Sequence, residues 1–503
     1  MPTYLLGIDN GCTMSKAALF TLDGREVAVA ARKTLTRSPQ AGYFERDADE
    51  LWTATAEAIR EVLARSQAAP ADVACVACAG HGNGLYLVDP QGRPVRPAIL
   101  STDSRARDVV DRWLAAGVDK AVRPLTMQSV WAAQPTVLLA WLKEHEPQVL
   151  RRAGWVLMCK DYVRFRLTGE IRAERTDFSG TSLLNIRTGD YDPRILEAFG
   201  IADLAGLLPP LVATADVCGR VTAQAAAETG LKAGTPVAGG LFDIDACALA
   251  CGITGEGPLC MIAGTWGNNQ YVSKTPVVDD IYMTSCFSIP GYYLMLEGSA
   301  TSASNLEWFV TEFFGAEKEK AQGQGRSVYD VCNDLVAATR PEDAGIVFLP
   351  FLFGSNANPD ARACLVGLGG WHTRGHVLRA IYEGIVFSHR GHVERLMRFR
   401  PMPEVIRLTG GAARSEAWVK VFADGFQVPV QLPDGTELGA LGAAIAAAVA
   451  VGCHRDYAEA VGAMVRFSRI QEPDPAQKAV YEAKYERYRN VVAALDPIWK
   501  RFG

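Results

Sequence analysis

The feature that most constrains this chain is a strand–turn–strand pattern that occurs twice. Within residues 4–22 an apolar strand ends near Asp9, a tight turn follows, and a second strand comes next. Residues 259–272 repeat this order, with Gly264-Thr265 at the end of the first strand. The alternation of apolar runs and Gly-containing turns is typical of paired strands. A repeat placed early and again in the middle of the chain predicts two related halves.

The first turn carries residues that a simple hairpin does not require. A hairpin turn accounts for Asp, Asn and Gly, and this interpretation stays open. Gly11, Thr13, Ser15 and Lys16, however, add two hydroxyls and an amine to exposed backbone N–H groups, a combination that suits phosphates. The sequence therefore predicts a nucleotide-phosphate site here and at Gly264-Thr265. The pattern differs from a P-loop, whose G-x-x-x-x-G-K-[ST] motif does not occur in the chain.

A carboxylate follows the small-residue run before the second pattern. Asp243 comes just after Gly239 and Gly240 and opens an apolar stretch. Asp is favoured at helix N-caps, so a structural role is one interpretation. A catalytic carboxylate, reached through two glycines that permit close backbone approach, is the other. These residues alone leave both open.

Polar residues at two strand ends predict a pocket for a polyol. His81 and Asn83 alternate with Gly82 and its neighbours after an apolar strand, and Asp103 and Arg105 follow the next one. Polar groups at such positions often line small-molecule sites. The structural alternatives are a histidine that satisfies a turn and a surface ion pair between Asp103 and Arg105. We also expect glycine at position 82 to leave room for the polyol.

A third strand, at residues 405–409, ends in small residues. Gly410, Gly411, Ala412 and Ser415 belong to this segment. Small residues let a flat ring approach the backbone closely. We therefore place the adenine of a nucleotide here.

Length and charge exclude several classes of protein. A chain of 503 residues is too long for one core, so two or three domains are expected. A net charge of -5 without a long basic run argues against a nucleic-acid partner. We expect no signal peptide, no membrane segment and a cytoplasmic location. Cys75 and Cys78 lie in an apolar strand, and core packing explains them better than a metal or redox role.

These motifs together resemble the FGGY family of carbohydrate kinases over nearly the whole chain. The resemblance is carried by GIDNGCTMSK at 7–16, GGLFD at 239–243, GT at 264–265, GGAARS at 410–415 and ELGALGAA at 437–444. It implies an α/β fold with two actin-like (ribonuclease-H-like) ATPase domains and an active site in the cleft between them. We set the domains at residues 1–246 and 247–503.

The resemblance also implies roles and cofactors. ATP and Mg²⁺ are the expected cofactors, and a small neutral sugar is the expected partner, with a homodimer as a further expectation. By motif match, Asp243 is the catalytic base, and Asp9 is the acidic residue near magnesium, acting through water. The phosphate-binding residues are Thr13, Gly264 and Thr265. The adenosine-binding residues are Gly411, Ala412 and Ser415, and the sugar-binding residues are Gly82 and Asn83.

Within the family, residues 239–243, 305–309 and 348–356 are most similar to the bacterial L-xylulose kinases. This implies phosphorylation of a terminal hydroxyl of L-xylulose or a related ketose. Kinases of D-xylulose, erythritol or glycerol are the alternatives. A non-catalytic actin-like protein that binds sugar and ATP is a further alternative, although such a protein needs no carboxylate beside the acceptor.

Overall fold

The computed structural model describes residues 3–352, 354, 355, 358 and 360–501. Phe353 and Asn356, which belong to the stretch 348–356, lie outside the described residues. The chain forms two compact units, each assembled from three segments. Unit 1 consists of Met1–Thr254, Val272–Met295 and Gly435–Arg466, and unit 2 of Gly255–Tyr271, Leu296–Asp434 and Phe467–Gly503. The predicted domain boundary after residue 246 stays a prediction.

Helices and strands alternate along the chain, as the predicted α/β class requires. In chain order the strands are β1 Tyr4–Asn10, β2 Met14–Thr21, β3 Glu26–Lys33, β4 Glu45–Arg46, β5 Val73–Gly80, β6 Tyr86–Val88, β7 Ala98–Ile99, β8 Trp155–Leu157, β9 Ala173–Glu174, β10 Leu184–Asn185, β11 Asp190–Tyr191, β12 Leu211–Val212, β13 Val217–Arg220, β14 Pro236–Ala238, β15 Leu241–Phe242, β16 Leu259–Ala263, β17 Gly267–Ser273, β18 Met283–Cys286, β19 Tyr293–Ser299, β20 Val347–Leu349, β21 Cys364–Val366, β22 Ile406–Thr409, β23 Val430–Pro433 and β24 Phe467–Gln471. The helices are α1 Ala48–Ser66, α2 Arg107–Ala115, α3 Val118–Thr126, α4 Pro135–His145, α5 Pro147–Arg152, α6 Cys159–Thr168, α7 Arg175–Ser179, α8 Pro193–Ala198, α9 Ala223–Thr229, α10 Asp243–Ala250, α11 Ser304–Phe313, α12 Gly315–Gly323, α13 Val328–Ala337, α14 Arg374–Leu396, α15 Glu416–Phe426, α16 Leu438–Ala450, α17 Tyr457–Met464 and α18 Lys478–Leu495.

The main sheet of unit 1 has the strand order β13-β14-β5-β1-β2-β3, and β15 also pairs with β5. β1 and β2 are antiparallel and connected by the predicted turn, so the first strand–turn–strand prediction is confirmed. β1 and β5 are parallel, which brings Asn10 and Gly80 side by side where both strands end. Side chains after β1 and β5 therefore share one edge of the sheet.

Helix α16 packs against β1, β5 and α10 in unit 1. Its residues Leu438 to Ala448 are all buried. The approach is so close that a Cβ on Gly7 would lie 1.9 Å from the carbonyl oxygen of Ala440, and one on Gly442 would lie 2.1 Å from that of Ala246. Glycine is required at both positions because any side chain would collide with backbone.

Unit 2 contains the second strand–turn–strand pattern. β16 and β17 are antiparallel, which confirms this prediction as well. β16 is parallel to β22, with Ile262 opposite Thr409. β22 continues the sheet to β23 and β24. The ends of the two parallel strands thus bring Gly264 and Gly410 to the same edge.

Two further sequence expectations concern membranes and thiols. Among the described helices, none combines the length and the apolar character that crossing a bilayer demands. Cys75 and Cys78 lie buried in β5, and burial raises the pKa of each thiol to about 12. Both thiols therefore stay protonated at neutral pH.

Candidate active site

Asp9 stands at the end of β1 within a small charged group of unit 1. The β1–β2 register places it opposite Lys16. The Lys16 Nζ donates to Glu437 Oε2 at 2.8 Å. A Cβ on Gly439 would lie 2.5 Å from Asp9 Oδ2, so the carboxylate occupies the space that the absent side chain leaves. The start of α16 therefore fixes the position of Asp9.

Asp243 is the first residue of α10, and Phe242 occupies the N-cap position. The helix-cap interpretation of Asp243 is therefore not what the structure has. Burial raises the pKa of Asp243 to about 8, and the negative charge of Asp9 contributes to the rise. Burial likewise raises the pKa of Asp9 to about 6, against the opposing charge of Lys16. The charge of Asp9 thus makes Asp243 harder to ionise, and the charge of Glu437 adds to the rise in the pKa of Asp9.

The first turn exposes only part of the predicted phosphate site. The Gly11 N–H donates to the Met14 carbonyl oxygen at 2.9 Å, and Thr13 is exposed. Ser15, in contrast, is fully buried and hydrogen-bonded to Asn10 at 2.8 Å and to Thr55 at 2.8 Å.

The placement of the side chains after this turn limits what they can contact. Ser15 is enclosed in its network, and this does not support a direct contact of its hydroxyl with a phosphate. Lys16 already has a carboxylate partner, Glu437. The exposed Thr13 and the backbone of the turn remain the groups that can meet a phosphate.

The loop after β5 holds His81 and Asn83 inside unit 1. Burial, reinforced by the charge of Arg46, lowers the pKa of His81 to about 3, so the imidazole is neutral. Its Nε2 lies 3.4 Å from the Tyr86 hydroxyl. Asn83 adopts φ 61°, and its buried Oδ1 has no hydrogen-bond partner in the part of the chain that the structure describes. An unpaired buried acceptor is costly, which favours a ligand hydroxyl at this position.

The expectation that Gly82 leaves room for a sugar is wrong. A Cβ at this position would lie 2.3 Å from the Phe242 ring and 3.0 Å from Asp177 Oδ1. The space beside the glycine is therefore filled by protein. Sequence reading missed this because residues 82 and 242 are far apart in the chain.

Asp103 and Arg105 form a buried ion pair rather than a surface pair. The Arg105 Nε donates to Asp103 Oδ1 at 2.9 Å, and Nη2 donates to Asp103 Oδ2 at 2.9 Å and to Glu45 Oε1 at 2.8 Å. The guanidinium also lies 4.3 Å from the centre of the Tyr43 ring. These groups satisfy one another, and this arrangement does not support their predicted contact with the sugar.

A buried charged cluster in unit 1 carries no local sequence signal. The Lys160 Nζ lies 2.8 Å from Asp161 Oδ1, 3.4 Å from Glu174 Oε2 and 3.6 Å from Asp177 Oδ2. Among the described residues, neither oxygen of Asp177 has a hydrogen-bond partner. Burial raises its pKa well above the ordinary value, and the charge of Asp243 contributes. Asp177 therefore lies close to both Gly82 and the proposed base.

In unit 2, the ends of β16 and β22 meet. Gly410 has φ 91°, and a Cβ on it would lie 2.6 Å from the Ala263 carbonyl oxygen. Thr265 is exposed at the turn after β16. A hydrogen bond from the Ala303 N–H to the Gly264 carbonyl oxygen, at 2.8 Å, stabilises this turn. The predicted phosphate and adenosine segments of this unit are thus adjacent.

The segment after β22 leads directly into helix α15. Gly411 is exposed, Ala412 is buried, and Ser415 caps the helix by accepting from the Trp418 N–H at 3.1 Å. The Ser415 hydroxyl donates to Asn333 Oδ1 at 2.6 Å. Asn333, on α13, is a neighbour that sequence reading missed because it lies about eighty positions earlier.

The sequence predicts a metal site only at Asp9. Within the described ranges, no group of three or more His, Cys, Asp or Glu side chains is placed to hold a metal ion. The interacting carboxylates of Asp9 and Asp243 nevertheless fit a hard cation, because oxygen ligands suit Mg²⁺ and a positive charge would relieve their repulsion.

The Gly-containing turns after β1 and β16 suit the phosphates of a nucleotide, and the carboxylates of Asp9 and Asp243 suit a phosphotransferase, which needs charge neutralisation and proton removal. The sequence matches the N-terminal domain of the FGGY family of carbohydrate kinases over residues 4–250 and the C-terminal domain over residues 259–451. The chain therefore belongs to the FGGY family of carbohydrate kinases.

Individual relatives agree with this assignment. The chain is 38% identical to the "Probable L-xylulose kinase" of Pasteurella multocida, covering 98% of this chain and 99% of that protein. It is also 38% identical to the "L-xylulose/3-keto-L-gulonate kinase" of Escherichia coli, over 98% of both chains. Among solved structures, a xylulose kinase from Rhodospirillum rubrum is similar with a TM-score of 0.88 and 30% identity, covering 99% of this chain and 100% of that one.

These findings confirm the predicted family and the α/β, actin-like fold class. The chain is a carbohydrate kinase that takes its phosphoryl group from ATP and acts on a small-molecule sugar.

Proposed function

We propose that this kinase phosphorylates a terminal hydroxyl of L-xylulose or a close ketose relative. The observation that carries the proposal is 38% identity over nearly the full length to relatives whose names specify L-xylulose. The enclosed loop after β5 agrees with a neutral acceptor, since His81 is uncharged and Asn83 offers an unpaired carbonyl. We also infer a cytoplasmic location for such an enzyme.

Asp243 is the proposed base for the sugar hydroxyl. Phosphoryl transfer requires mainly positioning and charge neutralisation, with proton removal from the acceptor as the new bond forms. Asp243 meets this need because it begins a helix at a sheet edge and has a raised proton affinity. The pKa of about 8 makes it a stronger base than an ordinary carboxylate.

Asp9 is proposed to hold Mg²⁺ through water, together with oxygens of ATP. The cation would neutralise phosphate charge and lower the proton affinity of the nearby Asp243. The contact with Gly439 and the neighbouring Lys16–Glu437 pair keep the Asp9 carboxylate in one position.

The nucleotide is assigned to groups in both units. Thr13 and the Gly11 turn, and Gly264 with Thr265, are proposed to bind phosphates. Gly410, Gly411, Ala412 and Ser415 are proposed to bind adenosine. Exposed Thr13 and Thr265 and exposed Gly411 support these roles, whereas the buried Ser15 and the paired Lys16 would contribute by shaping the first turn.

An assay of sugar-dependent ADP formation tests the substrate. We expect kcat/KM for L-xylulose to exceed that for glycerol by at least roughly 100-fold, because a site that pairs particular hydroxyls leaves polar groups unpaired with a mismatched analogue. D-xylulose and erythritol serve as closer comparisons in the same assay. A higher kcat/KM with D-xylulose, erythritol or glycerol would reject the substrate and keep the family.

A further inference from the structure

Asn333, on helix α13 of unit 2, has a side-chain amide whose oxygen accepts hydrogen bonds, whereas its nitrogen donates none within the described part of the chain. The Asn333 Oδ1 accepts two hydrogen bonds, one from the Ser415 hydroxyl at 2.6 Å and one from the Tyr382 hydroxyl at 2.9 Å. The Ser415 hydroxyl accepts the Trp418 N–H, which leaves its own proton for Asn333. Both donors thus fix which end of the amide is the oxygen.

The two donors are themselves rigid. Tyr382 lies on α14 and is buried, and its ring stacks on Trp418 with centroids 4.5 Å apart. Ser415 is the N-cap of α15. The amide of Asn333 is therefore oriented by two separate helices, which both donate to its oxygen.

Nδ2 has no acceptor among the residues that the structure describes. Asn333 is only partly buried, so this donor is accessible. Such an oriented donor favours binding of a ligand that carries a hydrogen-bond acceptor. The side chain is already ordered in the folded protein, so binding loses little further conformational entropy.

An exposed aromatic ring lies one turn earlier on the same face of α13. Val328, Cys332 and Val336 face the core, and Tyr329 and Asn333 each lie one position further along the helix. Residues four apart are neighbours on a helix surface. The Tyr329 side chain is 42% exposed, and its charge in the ionised form would act on Tyr382, so the two phenols are near each other.

We propose that Tyr329 and Asn333 bind the adenine base of ATP, with the Tyr329 ring stacked on the purine and the Asn333 Nδ2 donating to a purine ring nitrogen. The proposal rests on the proposed adenosine role of the segment that ends at Ser415. It adds to that role two residues that no motif indicates. Adenine matches these groups because it has a flat face and ring nitrogens that only accept hydrogen bonds.

Binding of ADP and of inorganic tripolyphosphate to the full-length chain tests this, since the second probe has phosphates but no base. Base stacking accounts for roughly 5- to 150-fold in affinity, and a neutral hydrogen bond to the base accounts for roughly 2- to 13-fold. We expect Tyr329→Ala to weaken ADP binding by about 5- to 50-fold and Asn333→Ala by about 3- to 10-fold, while each changes tripolyphosphate binding less than about 2-fold. Tyr329→Phe, which keeps the ring, should stay within about 2-fold of the unmodified chain.

Two controls keep the result interpretable. Asn490→Ala removes an exposed asparagine from helix α18 in the same unit and should change neither affinity. Asn333→Asp keeps the shape and the two accepted hydrogen bonds but loses the donor, so it should weaken ADP even if the alanine variant does not fold.

Equal weakening of ADP and tripolyphosphate, or no weakening of ADP, would overturn the proposal. Failure of the proposed function has a different signature. The unmodified chain would then bind ADP with the base selectivity above but form no ADP from ATP with any ketose.

Discussion

Two requirements on the protonation state of Asp243 conflict. As the proposed base it must be ionised, yet burial and the charge of Asp9 favour its protonated form. We expect Asp243→Asn to lower sugar-dependent ADP formation by at least roughly 100-fold, because removing a general base typically costs 10²–10⁴-fold. ADP affinity, measured by calorimetry, should change little. Turnover close to that of the unmodified enzyme would return Asp243 to a structural role.

The same substitution should stabilise the protein at alkaline pH. The folded-state pKa of Asp243 is about 8, above its ordinary value of 3.8. Its contribution to stability is therefore complete below the unfolded-state pKa and is lost as pH rises through about 8. Asparagine stays neutral, so the gain in Asp243→Asn should be on the order of 5 kcal/mol at pH 8.5 and below about 1 kcal/mol at pH 4.

Thermal unfolding at these two pH values measures the effect, with both proteins in the same buffers. An equal difference in Tm at pH 4 and pH 8.5 would mean that ionisation of Asp243 is not its source. The expected trend would show that the acceptor-activating carboxylate is held at a cost in stability.

The turns after β1 and β16 each contain an exposed threonine, Thr13 and Thr265. We expect Thr13→Val and Thr265→Val to raise KM for ATP by about 5- to 30-fold, because each change removes a hydroxyl from a turn that we propose to bind phosphate and keeps the shape. Thr→Ser at each position retains the hydroxyl and should remain close to the unmodified enzyme. A rise in KM for the sugar alone would contradict the assignment of that turn.

Helix α16 positions Asp9 because Gly439 has no side chain and leaves space for the Asp9 carboxylate. Gly439→Ala would place a Cβ 2.5 Å from Asp9 Oδ2 and displace the carboxylate. We expect kcat to fall by roughly 10- to 100-fold, since small displacements of catalytic groups are costly. Gly462→Ala, in α17 with no atom within 4 Å of the new Cβ, is the matched control and should stabilise its helix by about 0.5–1 kcal/mol. Equal kcat in both variants would exclude this role for Gly439.

Local patterns allowed the strand–turn–strand pairs to be predicted, because periodicity and turn residues act over a few positions. The same local signals predict phosphate sites at the two Gly-containing turns and an adenosine site at the small-residue segment 410–415. Local patterns do not predict which groups surround each side chain in the folded protein. Ser15 is enclosed by Thr55, Gly82 is covered by Phe242, and Asn333 reaches Ser415, and each pair joins distant segments. Such contacts depend on the sheet order, which spacing along the chain does not encode.

Unit 1 is completed by a segment from near the end of the chain. Helix α16 is apolar on nearly all sides and covers β1, β5 and α10. We expect residues 1–254 alone to aggregate or to unfold without a cooperative transition, because this face of the sheet is then exposed to water. Joining residues 435–466 to that fragment through a Gly/Ser linker should restore cooperative unfolding, followed by circular dichroism. A fragment 1–254 that unfolds as sharply as the linked form would show that α16 is dispensable.

The late position of α16 has a consequence for synthesis on the ribosome. Residues 1–254 emerge before residues 435–466, which belong to the same unit. At the usual rate of about 5–20 residues per second, roughly 10 to 40 seconds separate the two. During this interval the nascent chain carries an uncovered apolar sheet face, and chaperones that bind such surfaces would protect it until the closing helix arrives.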